Sequence, residues 1–329
     1  MTLPFAGVVV VWSGIRPRLE TYRIPKEGLV FGREHADASD ERISRLHMEL
    51  TVEDGRIIVE DRNSTNGTQV NDFPVFGRSV RPWLPAIVRT GRTISMLVPD
   101  LRPYEHIPIS RRGDIVVAGS LDHSCRAIDM AAIEEENVLI VGASSIGRTL
   151  GLEYARAIGG KHVLIAPTPQ RSIADAFEDV GAVRTVILDI DRPVTGDDLT
   201  TLASWLETDV RFVTCVRSES HLRGNETSIV RALVARIIEL PRCRFDELPT
   251  TFHEIIAARV PTATLHATAI EYALLRVRDM DEDLMLARFR DAVAAFPAGE
   301  TILRDEHLTP YLAVPHNPRH AGVFPVPGR

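Results

Sequence analysis

The chain has 329 residues, of which 44% are hydrophobic and 25% are charged, and its formal net charge is −7. This length and composition predict a globular protein of about two domains. The acidic balance argues against a general nucleic-acid-binding surface, because neutralising phosphates needs clustered cations.

The longest apolar run near the start, FAGVVVVW, is too short to cross a membrane, and no basic segment precedes it. We therefore expect a cytoplasmic protein without a membrane partner. The three cysteines, Cys125, Cys215 and Cys243, are far apart and form no C-x-x-C pair. This spacing predicts buried thiols, with neither a metal site nor a disulfide framework.

Up to about residue 100, the sequence consists of short β-rich runs separated by turn residues. The runs are VVVVW, LETYRI, LVFGR, HMELTV, RIIVED, TQV and TISMLV. Segments of this length, interrupted by EDG and NSTNG, predict an antiparallel β-sandwich.

From about residue 115 the pattern changes to alternating strands and helices. Strand-like runs NVLIV, HVLIA, RTVILDI, RFVTCV and ARIIEL are separated by helical stretches such as TLGLEYARAI and GDDLTTLASWLE. This alternation predicts a parallel sheet covered by helices. Beyond FDELPTTFHEIIAARV, the apolar residues recur only at helical spacing, which predicts a helical segment.

These patterns divide the chain into five parts. We expect an all-β sandwich over residues 1–100, a linker over 101–114, an α/β domain over 115–260, a helical subdomain over 261–315, and a flexible Pro- and Gly-rich tail over 316–329.

Three segments of the first part carry phosphate-binding chemistry. They are FGREH, ISRLH and DRNSTNGTQVN, which contain Arg33, Ser44, Arg45 and Thr65. Arginine offers a planar, permanently charged fork for phosphate, and hydroxyls can donate to the remaining oxygens. An alternative is that NSTNG is only a hairpin turn, since Asn-Gly is a frequent type I′ pair.

Taken in order, these motifs resemble the forkhead-associated (FHA) domain over residues 1–100. The resemblance implies a β-sandwich that binds phosphothreonine peptides through loops at one end. It assigns the phosphate to Arg33, Ser44 and Thr65, with Arg45 beside them, and the peptide backbone to Asn66. The same resemblance gives Gly32, His47 and Gly67 structural roles in the binding site.

The stretch VGASSIGRTL almost matches the phosphate-loop pattern G-x-x-x-x-G-K-[ST]. Gly142, Gly147 and Thr149 are in place, but Arg148 stands where lysine is expected. Downstream, VILDID ends a hydrophobic strand in Asp189, as a magnesium-binding second motif would. A chance glycine loop between a strand and a helix is the alternative.

From VVAGS to ARIIELPRCRFDELP, the order of motifs resembles the AAA+ domain of sigma-54-dependent transcription activators (bacterial enhancer-binding proteins). Two departures bear on its function. Arg148 replaces the lysine, and Ile190 stands where the acidic residue that orients the attacking water is expected. The GAFTGA loop of that family is missing, and no DNA-binding domain follows.

Further arginines have two interpretations each. Arg288 and Arg290 could occupy a helix similar to the sensor helix of the AAA+ lid, or they could lie on a solvated face. Arg231 and Arg236 fall near the arginine-finger region of that family, or they serve a structural role beside the sheet.

The sequence therefore predicts a bacterial phosphothreonine-dependent signalling or scaffold protein with a degenerate, hydrolysis-incompetent AAA+ domain. We expect no catalytic residue, no metal and no required cofactor, with only weak binding of ATP and magnesium. The expected partner is a phosphothreonine protein, namely a Ser/Thr kinase or its substrate, and assembly with AAA+ subunits is possible. Two alternatives are an ATP-binding sigma-54-dependent transcriptional regulator and a nucleotide-binding switch without hydrolysis.

Overall fold

The fold was analysed in a computed structural model. The structure describes residues 3–105, 109–112, 115–117, 119–142, 144–166, 173, 175, 182–190, 200–201, 204, 208–216, 235–241, 244–277, 280, 282–313 and 323–325. The chain forms two compact units. The first contains residues 1–119 and 243–329, and the second contains residues 120–242.

The first unit is built mainly from short antiparallel strands. They are β1 (Gly7–Ser13), β2 (Arg16–Arg23), β3 (Leu29–Phe31), β4 (Met48–Glu53), β5 (Arg56–Asp61), β6 (Thr68–Val70), β7 (Phe73–Val75), β8 (Ser79–Pro82), β9 (Ala86–Thr90), β10 (Thr93–Val98), β11 (Ser110–Arg112) and β12 (Ile115–Val117). The strands of the second unit are β13 (Val138–Val141), β14 (His162–Ile165), β15 (Thr185–Ile190), β16 (Arg211–Val216) and β17 (Arg236–Glu239). The first unit ends with β18 (Thr264–Leu265), β19 (Ile302–Leu303) and β20 (Val323–Pro325).

Two helices belong to the second unit, α1 (Asp122–Ile133) and α2 (Ser144–Ile158). Four belong to the first unit, α3 (Leu248–Arg259), α4 (Ala267–Val277), α5 (Glu282–Ala294) and α6 (Asp305–Leu312).

Two sheets form the predicted sandwich. One has the strand order β2-β1-β10-β9-β6-β7, and the other has the order β20-β8-β5-β4-β3. The interior contains Val8 and Val10 of β1 together with Phe31, Met48 and Leu50 from the other sheet. Since side chains alternate along a strand, the remaining valines of VVVVW must face the opposite side.

That opposite side is covered by the helices of the first unit. Val9, Val11 and Trp12 belong to one fully buried cluster with Phe252 of α3 and Phe289 of α5. A strand buried on both faces has a continuous apolar sequence, which accounts for the run of four valines.

The helical segment therefore differs from its predicted place. The expected α/β domain (115–260) included β12 and α3, and the expected helical subdomain (261–315) followed it. In the structure all of these elements belong to the unit that contains the sandwich. The physical reason is that the outer face of the six-stranded sheet is apolar and must be buried against another layer.

The expected linker and tail also contain regular structure. Leu101 lies in the core of the first unit, and β11 pairs with β12 in an antiparallel hairpin. Within the tail, β20 pairs antiparallel with β8, where it satisfies backbone groups at the edge of the sheet. The other residues of the expected tail, 316–322 and 326–329, lie outside the described residues.

The second unit contains the predicted parallel sheet, with the strand order β14-β15-β16-β13-β17. The chain leaves β13 towards β14 on one side and leaves β16 towards β17 on the other. The adjacent strands β13 and β16 therefore define a topological switch point, where α/β sheets bind ligands at the carboxyl ends of their strands. Within the described part of the chain, no helix is long and apolar enough to span a membrane.

Candidate functional site

The loop between β3 and β4 brings Arg33 next to Ser44. The Arg33 amide donates to the Ser44 carbonyl at 3.1 Å, and Arg33 Nε donates to the Ile43 carbonyl at 3.2 Å. Gly32 permits this close approach, because a Cβ at that position would lie 1.9 Å from the Arg45 carbonyl oxygen. The side chains of Arg33 and Arg45 remain exposed.

The fully buried His47 connects this loop to the loop between β5 and β6. The Ser44 amide donates to Nδ1 at 3.0 Å, so Nδ1 is an acceptor and the proton lies on Nε2. Nε2 then donates to the Gly67 carbonyl at 3.0 Å. Burial holds the pKa of His47 below its usual value, which keeps the ring neutral, as this pair of hydrogen bonds requires.

The second loop brings Thr65 and Asn66 to the same end of the sandwich. The Thr65 amide donates to Ser44 Oγ at 3.3 Å, and Asn66 Nδ2 donates to the Arg42 carbonyl at 2.6 Å. Asp61 shapes this loop by accepting hydrogen bonds from the amide and hydroxyl of Ser64, at 3.1 and 2.7 Å. Both Thr65 and Asn66 are exposed.

The simpler interpretation of NSTNG as a hairpin turn is wrong. A hairpin would connect paired neighbouring strands, but β5 and β6 belong to different sheets. Gly67 has a φ of 74°, and a Cβ there would lie 2.0 Å from Phe76 Cε1. Glycine is therefore needed for the chain to pass from one sheet to the other.

These contacts place one guanidinium and two hydroxyl-bearing residues, Arg33, Ser44 and Thr65, around one exposed surface. Among the ion pairs formed by described residues, none includes Arg33 or Arg45. Free guanidinium groups beside hydroxyls suit an exposed phosphate group.

In the second unit, the predicted phosphate loop lies at the switch point. The Gly142 amide donates to the Val216 carbonyl of β16 at 2.9 Å. A Cβ at Gly142 would lie 2.6 Å from Leu240 Cβ, and Gly142 has a φ of 143°, so the loop needs glycine there. Gly147, Arg148 and Thr149 lie in α2, which begins at Ser144, inside the predicted loop and not after it.

Arg148 forms an ion pair with Asp189, and its Nε donates to Asp189 Oδ2 at 3.0 Å. The Asp189 side chain is only 6% exposed, whereas that of Arg148 is 45% exposed. Within the described part of the chain, Asp189 Oδ1 is buried without a hydrogen-bond partner. One carboxylate oxygen is therefore occupied by Arg148, and the other is buried and unpaired among the described residues.

Ile190 lies beside Asp189 on β15, but its side chain points to the opposite face of the sheet. It is 1% exposed and packs in a hydrophobic cluster with Leu188 and Val216. Asp191, the next acidic residue, lies outside the described residues.

The positions and contacts of the four arginines that have two interpretations differ. Arg288 and Arg290 lie on α5 in the first unit, where Arg288 Nη1 donates to the Tyr311 carbonyl at 3.4 Å. They do not belong to the unit that contains the phosphate loop. Arg236 forms ion pairs with Glu134 and Glu136 at 2.5 and 2.7 Å, which supports a structural role. Arg231 lies outside the described residues.

Cys125 and Cys215 are buried and belong to no disulfide among the described residues, and Cys243 lies outside the described residues. Burial raises the pKa of the Cys215 thiol, so this group stays protonated. The residues that the structure describes contain no cluster of three or more His, Cys, Asp or Glu side chains that could hold a metal ion.

Comparison with known proteins identifies the family of a segment of the first unit. Residues 29–96 match the family model of the FHA domain. The first unit contains an FHA domain. No curated protein gives a significant match to the chain.

Several solved structures are similar to parts of the chain. The FhaA FHA domain complexed with the intracellular domain of Rv3910 is 22% identical, with a TM-score of 0.24, and the match covers 28% of this chain and 98% of that one. The FHA domain of an Arabidopsis thaliana hypothetical protein is 23% identical, with a TM-score of 0.25, and the match covers 29% and 86%. The RuvB Holliday junction branch migration motor of Thermotoga maritima is 14% identical, with a TM-score of 0.37, over 58% of this chain and 68% of that one.

Sequence reasoning did not identify Arg42 and Asp40 as neighbours of the loops that carry Ser44, Thr65 and Asn66. Arg42 offers its carbonyl to Asn66, and Asp40 is a buried carboxylate that orders the loop around it. An acidic residue in a polar loop carries no sequence signal of burial, so only the fold reveals it.

Proposed function

We propose that the FHA domain binds a phosphothreonine-containing protein and that the whole chain acts as a signalling scaffold. The observation that carries this proposal is the convergence of Arg33, Ser44 and Thr65 on one exposed surface, held by His47 between the two loops. A Ser/Thr kinase or one of its substrates is the expected partner.

The test is calorimetry with the full chain and a phosphothreonine peptide selected from a library. Arg33→Ala is expected to cost about 1.5–3 kcal/mol of binding free energy, the contribution of a charge-assisted hydrogen bond. Arg56→Ala is the matched control, because Arg56 begins β5 and the six-residue strands β4 and β5 separate it from both binding loops. Equal affinity for the phosphorylated and unphosphorylated peptides would refute the proposal.

We further propose that the second unit is a degenerate AAA+ domain that does not hydrolyse ATP. The glycine at 142 and the unpaired Asp189 Oδ1 fit a phosphate and a magnesium ion in part, but Asp189 Oδ1 is buried and Oδ2 is already paired with Arg148. The position expected to orient the attacking water is Ile190, which is packed in the core. Bound ATP would supply the negative charge of its phosphates, and Arg148, Thr149 and the backbone amides beside them would hold these phosphates.

Phosphate release with magnesium should equal a no-enzyme control, and steady release abolished by Asp189→Ala would contradict this. The unpaired Asp189 Oδ1 favours one second candidate, a nucleotide-binding switch without hydrolysis, and equilibrium ATP binding distinguishes it from a scaffold. The other candidate is a sigma-54-dependent regulator, and open-complex formation in a reconstituted transcription assay would support it. Light scattering tests assembly with other AAA+ subunits.

A further inference from the structure

Two short parallel strands place His266 and Arg304 side by side. β18 pairs with β19 in parallel, and each of the two residues directly follows its strand. The His266 amide donates to the Leu303 carbonyl at 2.9 Å, which continues this register. Because the carboxyl ends of parallel strands lie at the same edge, His266 and Arg304 leave the strands together.

In the FHA domain, the buried Asp40 brings Arg42 next to Arg92. Asp40 is 1% exposed, and it accepts the Arg42 amide at 3.2 Å through Oδ1 and the Arg92 amide at 2.9 Å through Oδ2. The turn before Arg92 is also close to Arg42, since a Cβ at Gly91 would lie 3.0 Å from Arg42 Cβ. One carboxylate thus orders the backbone under both arginines.

The ion pair between Arg89 and Glu271 joins β9, which precedes the turn before Arg92, to α4, which begins directly after His266. This contact brings the two pairs together, and we call Arg42, Arg92, Arg304 and His266 the basic cluster. The pKa of His266 is lowered first by burial and then by the positive charges of Arg304, Arg92, Arg42 and Arg89. Positive charge around a half-buried histidine lowers its pKa in the same direction as burial does.

Most of this positive charge has no internal counter-ion. Arg89 is neutralised by Glu271, at 2.5 Å from Nε to Oε2. Among the described residues, no ion pair includes the other three arginines, and Arg92 Nε is buried without a hydrogen-bond partner. The nearby acids Asp72 and Asp305 act on Glu271 and help raise its pKa.

The basic cluster adjoins the phosphopeptide surface. Asn66, the residue assigned to hold the peptide backbone, donates from Nδ2 to the Arg42 carbonyl at 2.6 Å. Arg42 of the basic cluster is therefore in direct contact with a residue of the phosphopeptide surface. A peptide held at Asn66 would therefore extend towards the cluster with its flanking residues.

We propose that the basic cluster, built jointly by the FHA loops and the helical segment, binds acidic side chains that flank the phosphothreonine of the same peptide ligand. Carboxylates are the natural partners of exposed guanidinium forks. The inference rests on the proposed phosphothreonine binding and extends it, because the helical segment selects among phosphorylated ligands that the FHA domain alone would accept.

The test uses the full chain and fluorescence anisotropy with matched peptides around one threonine. The peptides carry either neutral flanks or three aspartates on the amino or the carboxyl side, each with and without phosphate. The wild-type chain should bind one acidic-flank phosphopeptide about tenfold more tightly than the neutral one, and the gain should shrink as salt is raised.

The double variant Arg92→Gln, Arg304→Gln should lose this gain and keep its affinity for the neutral phosphopeptide. Because Arg92 is partly buried, Arg304→Glu is the second variant, which changes only an exposed side chain. Arg56→Gln is the control and should keep the gain.

Phosphate-dependent binding with no acidic preference, or with a preference that both variants retain, overturns the inference and leaves the proposed function standing. An acidic preference that the variants abolish, without any dependence on phosphate, supports the cluster and overturns the proposed function.

Discussion

The buried ion pair between Arg89 and Glu271 ties the FHA domain to its helical segment. Arg89 lies on β9 and Glu271 lies on α4. The Glu271 side chain is 5% exposed, and its Oε1 is buried without a hydrogen-bond partner within the described part of the chain. The guanidinium of Arg89 therefore compensates the negative charge of Glu271, and replacing Arg89 leaves this carboxylate buried without a partner.

We predict that Arg89→Met destabilises the protein by about 3–5 kcal/mol at neutral pH, the usual cost of breaking a buried pair on one side. The double variant Arg89→Met, Glu271→Met should recover most of this loss, because no charge remains buried. Arg56→Met changes an exposed arginine and should stay within about 0.5 kcal/mol of the wild type.

The pH dependence gives an independent check. Burial already raises the pKa of Glu271 above its usual value, and loss of Arg89 raises it further. A carboxyl with a raised folded-state pKa binds its proton more readily when folded, so its contribution to stability falls as the pH rises above the unfolded pKa. The deficit of Arg89→Met should therefore be larger at about pH 8 than at about pH 5.

The assay is urea unfolding followed by the fluorescence of Trp12, which is fully buried in the core shared by the sheet and the helices. Trp83→Phe and Trp205→Phe in the background remove the other two tryptophans. If the double variant is as unstable as Arg89→Met, the loss does not come from an uncompensated charge and the reasoning is wrong.

Three further predictions follow from single positions. His47→Ala should cost about 2–3 kcal/mol of stability and weaken phosphopeptide binding, because Ser44 and Gly67 lose their shared partner. Because burial lowers the pKa of His47, protonation of this ring destabilises the wild type as the pH falls below about 6.5. Denaturation of both proteins at two pH values should show that the His47→Ala variant lacks the loss of stability that His47 protonation causes. Gly32→Ala should weaken phosphopeptide binding in calorimetry, since its Cβ would clash with a backbone oxygen at 1.9 Å, and unchanged affinity would contradict this. Ile190→Val should cost about 0.5–1.5 kcal/mol of stability. Ile190→Glu should lower the thermal midpoint far more, because the glutamate side chain would bury a carboxylate in an apolar cluster.

Most strands of the sandwich could be predicted from the sequence because their apolar runs are bounded by turns. β7, β8 and β9 were not predicted, and the first two are short segments, FPV and SVRP, that contain proline and lack a period of two. Likewise, the sequence predicted the helices α3 to α5 but assigned them to the wrong unit. Helical periodicity identifies an apolar face, whereas the surface that covers this face depends on the tertiary fold.

The same distinction applies to the candidate sites. Arg33, Ser44 and Thr65 could be predicted because they belong to short motifs in a fixed order. Arg92 and Arg304 belong to no motif and are separated by more than half of the chain. The contacts of Asp40, the pairing of β18 with β19 and the ion pair between Arg89 and Glu271 bring their segments together.

The two departures from the nucleotide-binding motifs, Arg148 and Ile190, are structurally independent, and this bears on whether either could be reversed alone. Arg148 and Asp189 meet on the side of β15 that faces α2, where Ile187 also lies 3.0 Å from the position of a Cβ at Gly151. Ile190 points away from that side into the hydrophobic cluster. Changing Arg148 to lysine would release Asp189 Oδ2 without disturbing the cluster, since the exchange is confined to a partly exposed side chain. An acid at 190 would instead have to be accommodated in the core before it could act on water. Under the proposal that the second unit does not hydrolyse ATP, we therefore expect substitutions to restore nucleotide affinity more readily than hydrolysis, because the acid at position 190 must first be accommodated in the core of the sheet.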